Sequence, residues 1–123
     1  MAWNASREAA RAVADAMPFL VAAQHVVILS VNPESGQRPG THGADPGADI
    51  GFHLARHGVK VQASHGVAPD IDPADAILNW ASDDGIDLIV VGAYGHARLR
   101  ELVLGGVTRD MLAASPVPLL MSH

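Results

Sequence analysis

Two kinds of apolar spacing alternate along this 123-residue chain. Between Ser6 and Ala22, Ala10, Val13, Ala14 and Met17 recur at i, i+3, i+4 and i+7, the spacing of one helix face. Asn4 or Ser6 can cap this helix by accepting from a free N–H of its first turn, and Pro18 should kink or shorten it. The run "HVVILSV", His25 to Val31, is continuously apolar and β-branched, which predicts a strand covered on both faces. Asn32 to Gly47 is rich in Gly, Pro and polar residues and reads as an exposed loop. It ends in Asp45-Pro46, an N-cap and first helical position for a short helix to His57 with Ile50 and Leu54 inward.

"VKVQAS", Val59 to Ser64, alternates apolar and polar residues, as a half-exposed strand at a sheet edge does. A second Asp-Pro pair, Asp72-Pro73, opens a helix whose buried stripe is Ala74, Ile77, Leu78 and Ala81. "DLIVVGA", Asp87 to Ala93, predicts a central strand; Thr108 to Ala114 reads as a helix and Val117 to Ser122 as a last strand. Pro118 cannot donate to a ladder, so the last strand lies at an edge or begins there. Strands alternating with helices predict an α/β domain with an open parallel sheet and helices on both faces, a single domain over residues 1–123. The helix beginning near Ser6 should follow a strand, yet only Met1, Ala2 and Trp3 precede the turn. Either these residues form a stub strand, or the chain is a fragment or has a misplaced start.

Composition narrows the function. There is no cysteine, hence neither a disulfide framework nor a thiolate metal site. No secretory signal or membrane-spanning run is visible, and the expectation is a cytoplasmic protein with no membrane partner. A net charge of −5 and few aromatic residues argue against nucleic acid as a partner. Chemistry concentrates in "VVGAYGHARLRELVLGGVTRDM", Val90 to Met111, where glycines follow the central strand and precede the next helix. Glycine lets a backbone approach closely, and helix N-termini offer N–H donors to anions. The stretch has no Gly-Lys-Ser/Thr, so it is not a P-loop, and its spacing fails the dinucleotide fingerprint. Phosphate binding and a purely structural turn, with Leu99, Leu102 and Leu104 packed over the sheet end, both remain open.

"GAYGHARLRELVLGGVT" resembles the signature of the universal stress protein family: Gly92, Gly95 and Gly105 match its glycine spacing. "AWNASREAA" is similar to the family's first loop, usually Asp-Gly-Ser where this chain has Asn4-Ala5-Ser6, and "ASPVPLLMSH" to its closing strand. The resemblance implies a five-stranded parallel sheet in the order 3-2-1-4-5, with the first strand truncated here to a stub. It also implies ATP, with Mg2+ alongside, held as a regulatory ligand by Asn4, Val31, Gly92, Gly95, Gly105, Gly106 and Thr108. Gly106 occupies a position that usually carries Ser or Thr. Members commonly dimerise through the last strand or occur as tandem domains, so residues 117–121 are the expected interface. The alternative is a dimerisation or tandem-partner domain that binds no nucleotide; a third reading is a nucleotide hydrolase using His96, Arg98 and Arg100. No catalytic constellation is legible, and hydrolysis is expected to be slow at most. His53 and His57 have zinc-compatible i, i+4 spacing without a third ligand nearby, so no metal site is assigned. Asp83, Asp84 and Asp87 read as solvated loop charge, and Trp3 and Trp80 as core or interface packing.

Overall fold

The computed structural model describes residues 1–32, 47–94 and 106–123. Its elements run α1 (Arg7–Ala22), β1 (Val26–Val31), α2 (Ala48–Arg56), β2 (Val61–Gly66), α3 (Pro73–Asp83), β3 (Ile89–Gly92), α4 (Gly106–Ala114) and β4 (Leu119–Ser122). The class is α/β with parallel strands, as the alternation predicts. β1 pairs with β2 from Val26↔Val61 to Val31↔Gly66, and β3 with β4 from Ile89↔Leu119 to Gly92↔Ser122.

Regular pairing among the described residues therefore forms two two-stranded sheets rather than one continuous five-strand ladder. The leading residues lie between them. Trp3 N–H donates to the Leu29 carbonyl at 2.8 Å, Leu29 N–H to the Met1 carbonyl at 2.8 Å, and Ala2 N–H to the Val90 carbonyl at 2.9 Å. Three residues supply one isolated bridge, Ala2 with Leu29, too little for a full strand.

Packing follows the side-chain alternation. One core joins Val13, Ala16 and Leu20 of α1 to Val26, Ile28, Val90 and the fully buried Leu54 of α2. The other joins Ala74, Ile77 and Ala81 of α3 and Met111 of α4 to Leu29, Ile89 and Val91. Alternate residues of β1 thus enter opposite cores, which is why "VVILSV" is apolar almost throughout. β2, by contrast, is half-exposed along its length, as expected of an edge.

Several boundaries differ from the sequence reading. The buried face of α1 is Ala9, Ala12, Val13, Ala16 and Leu20, whereas Ala10 and Ala14 are exposed. The period is correct but the face is rotated, because alanines on both sides of the helix discriminate poorly. Pro18 does not shorten α1: it lies on the exposed face, where the carbonyl left without its donor can turn to water. Helix α2 begins at Ala48 with Gly47, at φ 87°, in the N-cap position; Asp45 and Pro46 lie outside the described residues. β3 is shorter than "DLIVVGA" because its partner begins after Pro118, whose carbonyl accepts from Ile89 N–H at 3.0 Å but which has no N–H to return.

Candidate functional site

At the carboxyl ends of β1 and β3 a cleft of about 470 Å³ opens. The leading segment contributes Trp3, Asn4 and Ser6, and the two strands contribute Leu29, Val31, Val91 and Gly92. The start of α3 adds Asp72, Pro73 and Ile77, and the start of α4 adds Gly106, Val107 and Thr108. Carboxyl-end crevices are where open α/β sheets take their ligands.

Local chemistry brings three helix N-termini to this cleft, but they are not equivalent. Asn4 Oδ1 accepts from Ser6 N–H at 3.1 Å, turning the chain into α1, and Ser6 Oγ then accepts from Ala9 N–H at 3.1 Å. Of the two capping candidates, Ser6 is thus the cap and Asn4 the turn residue before it. Glu8 adds a carboxylate to the same turn, held below the usual range first by its own backbone N–H and further by Arg7, 3.3 Å away. The α3 N-terminus is capped by Asp72, whose Oδ1 accepts from Ala74 N–H at 2.8 Å. Helix α4 starts at Gly106, and its first turn, Gly106 to Thr108, lines the cleft. The start of a helix offers N–H donors to an anion.

Five of the seven residues expected at a nucleotide site, Asn4, Val31, Gly92, Gly106 and Thr108, line the cleft. Gly95 and Gly105 lie outside the described residues, as do His96, Arg98, Arg100, Leu99, Leu102 and Leu104. Gly92 has a second role that spacing alone did not indicate. A Cβ there would stand 2.5 Å from Ala9 N and 2.6 Å from the Glu8 carbonyl carbon, inside the backbone of the first turn of α1. Its lack of a side chain is what allows α1 to seat against the end of β3. Gly106 is the opposite case: among the described residues, a Cβ would meet only Asp110 Oδ2, at 3.9 Å.

Sequence reasoning missed Asp72, Pro73, Ile77 and Tyr94 as cleft residues. The Asp-Pro helix start was legible, but its place at the same end of the sheet as the glycine-rich stretch depends on the parallel topology. Trp3 combines packing with exposure to the cleft: it is half-buried, lies against the α1 core and also lines the wall. Trp80 packs against the α3 core. His53 and His57 form an exposed pair, with His57 Nδ1 2.8 Å from the His53 carbonyl, and no cluster of three metal-ligating side chains occurs among the described residues. Asp83, Asp84 and Asp87 are exposed. No helix among the described residues is long and apolar enough to cross a membrane.

Comparison with known proteins gives one consistent family. The model of the universal stress protein family matches residues 2–123. A universal stress protein of Synechocystis, Slr1230, is 41% identical over 46 residues, a match covering 37% of this chain and 16% of that much longer relative. Among solved structures, a universal stress protein from Archaeoglobus fulgidus superposes with a TM-score of 0.77 at 18% identity, covering 99% of this chain and 95% of the other. A universal stress protein solved in complex with cAMP superposes at 0.70 with 21% identity, covering 100% and 94%. At these identities the structural likeness is one of fold.

Proposed function

The chain belongs to the universal stress protein family, and we propose that it is a stress-response module that takes ATP or a related adenine nucleotide as a regulatory ligand in the cleft between β1 and β3. The observation that carries this reading is the convergence of Asn4, Val31, Gly106 and Thr108 on a cleft faced by the N-terminus of α4. The nucleoside lies toward Asn4 and Val31, and the phosphates, with Mg2+, toward the start of α4. The family resemblance adds Gly95 and Gly105 to the proposed nucleotide-binding residues. In this reading hydrolysis is slow at most.

The same reading joins the two strand pairs into one sheet of order 3-2-1-4-5, with residues 1–3 as the short first strand. The hydrogen bonds from Ala2 and Trp3 to both pairs support it. It also makes the outer side of β4, over residues 117–121, the contact for a second copy or a tandem domain, and assigns the protein to the cytoplasm.

A second reading, a dimerisation or tandem-partner domain that binds no nucleotide, draws support from Gly92 and Gly106. The first is required for packing, and the second lacks the hydroxyl usual at its position. Isothermal titration of the purified chain with ATP and magnesium separates the two. Saturable binding at a 1:1 ratio is the expected result, and absence of heat at millimolar ATP favours the second reading.

A further inference from the structure

Three non-glycine residues among those described hold a left-handed backbone: Ala5 at φ 56°, Asn32 at φ 46° and Tyr94 at φ 63°. They follow, respectively, the leading segment, β1 and β3, three neighbouring segments that point at the same cleft. Asparagine adopts this conformation readily and alanine with modest difficulty; for a bulky aromatic residue it is an outlier. Glycine would take the conformation of Tyr94 freely, and the sequence around it is rich in glycine. Such outliers persist where the side chain does something that offsets the strain, and they gather at ligand sites.

The surroundings of Tyr94 limit what that can be. The residue lines the cleft and is 44% exposed. Its ring meets His123 edge-on, with centroids 5.6 Å apart and planes at 85°, which leaves a face of the phenol uncovered by that contact. Ala93 N–H donates to the Ser122 carbonyl at 2.8 Å, so the backbone leading into Tyr94 is tied to β4. The neutral phenol is a poor partner for phosphate, an end that the proposed function gives to the N–H groups of α4. An open aromatic face suits a nucleoside, because stacking on a base or on the apolar side of a sugar needs no charge.

We infer that Tyr94 is a specificity-determining residue of the cleft, presenting its ring to the nucleoside part of a bound nucleotide. This rests on the nucleotide reading above, and it assigns to an aromatic side chain a selectivity that backbone donors cannot supply. The phosphate contacts accept any polyphosphate; the ring favours one that carries a base and sugar.

The test compares adenosine and ATP, each titrated by calorimetry into the parent protein and into Tyr94→Phe, Tyr94→Ala and Tyr94→Gly. Tyr94→Phe should bind both within about twofold of the parent, since the ring remains. Tyr94→Ala and Tyr94→Gly should weaken both ligands by a similar factor, about 5- to 100-fold. The ligand-free thermal midpoint of Tyr94→Gly should stay within a few degrees of the parent's, because the backbone strain that glycine relieves offsets the lost His123 contact, and this separates lost contact from lost structure. A folded Tyr94→Gly protein that binds both ligands as tightly as the parent overturns the inference and leaves the nucleotide reading standing. So does a loss confined to ATP. A parent that binds neither ligand overturns both.

Discussion

Asn32 and Ala68 exchange two hydrogen bonds: Asn32 Nδ2 donates to the Ala68 carbonyl at 3.1 Å, and Asn32 Oδ1 accepts from Ala68 N–H at 2.6 Å. Asn32 N–H also donates to the Gly66 carbonyl at 2.8 Å, so the side-chain amide continues the β1–β2 ladder one step beyond both strands. The left-handed backbone at φ 46°, which asparagine tolerates, accompanies this geometry. The segment it secures leads to Asp72 and Pro73, which form one wall of the cleft.

Asn32→Ala removes both bonds and places a less tolerant residue at positive φ. Each bond contributes about 0.5–1.5 kcal/mol net, so the expected loss is about 1–3 kcal/mol in urea unfolding. Hydrogen exchange should show the Ala68 amide losing protection selectively. An unchanged Ala68 amide would mean that the loop is held by other contacts.

Gly92 and Gly106 should respond in opposite ways to the same added methyl group. Gly92→Ala drives a Cβ to 2.5 Å from Ala9 N, and only movement of α1 away from β3 can relieve the contact. Overpacking of this kind costs about 1–3 kcal/mol or more, and the clash here is with backbone, which yields least. Gly106→Ala meets, among the described residues, only Asp110 Oδ2 at 3.9 Å and should change stability by less than about 1 kcal/mol. Thermal melts of the two variants make the comparison directly, and equal midpoints would contradict the packing role of Gly92.

Gly106→Ser places a hydroxyl at the first position of α4, where, among the described residues, only Asp110 Oδ2 lies within 4 Å of the new Cβ. A hydrogen bond to a charged group contributes about 1.5–3 kcal/mol, so ATP binding should tighten roughly 10- to 100-fold. Adenosine binding should stay the same. An equal gain for both ligands would place the hydroxyl near the nucleoside and reverse the proposed orientation.

Ala5 sits at φ 56° where the family's first loop usually has glycine. The left-handed conformation costs alanine about 1–2 kcal/mol. Glycine removes that strain but adds about 0.4–1 kcal/mol of unfolded-state entropy. The net expectation for Ala5→Gly is a gain of about 0.5 kcal/mol and a thermal midpoint higher by a few degrees. A lowered midpoint would show that the Ala5 methyl makes a contact worth more than the strain.

The fold class and the starts of α1 and α3 were legible because they depend on neighbours in sequence. Alternating burial in β1 and β2, and the Asp72-Pro73 cap of α3, need only a few adjacent residues to be recognised. Five of the expected site residues were found at the cleft for the same reason: strand ends and helix starts can be read locally, and the family resemblance aligned them. What escaped was set by contacts distant in sequence. Gly92 fits a glycine pattern, but its need to lack a side chain comes from Ala9, far away along the chain. The rotation of the α1 face was hidden among alanines, and only the surfaces it packs against decide it. Asp72 was recognised as a cap, while its nearness to Asn4 and Thr108 required the sheet to be assembled first.

In a polypeptide that starts at Met1, the terminal amine donates to the Val27 carbonyl at 2.5 Å, the place a strand amide would fill. Burial pushes its pKa down to about 6 from the usual 8. Being a base with a lowered folded pKa, it stays neutral in the fold between pH 6 and 8 while the unfolded chain takes up a proton. The unfolded state then binds more protons, so stability rises with pH across that window, is complete above pH 8 and is lost as pH falls toward 6. A shift of this size corresponds to about 1–3 kcal/mol. Adding about five β-favouring apolar residues upstream replaces the amine with an amide and lengthens the three-residue segment that reaches Leu29 and Val90. The extended protein should be more stable at pH 6 and should lose most of the slope between pH 6 and 8. Urea unfolding of both proteins at pH 6, 7 and 8 decides it. Parallel curves would mean that the amine escapes to solvent in the fold, and equal stabilities that the short segment already satisfies its neighbours.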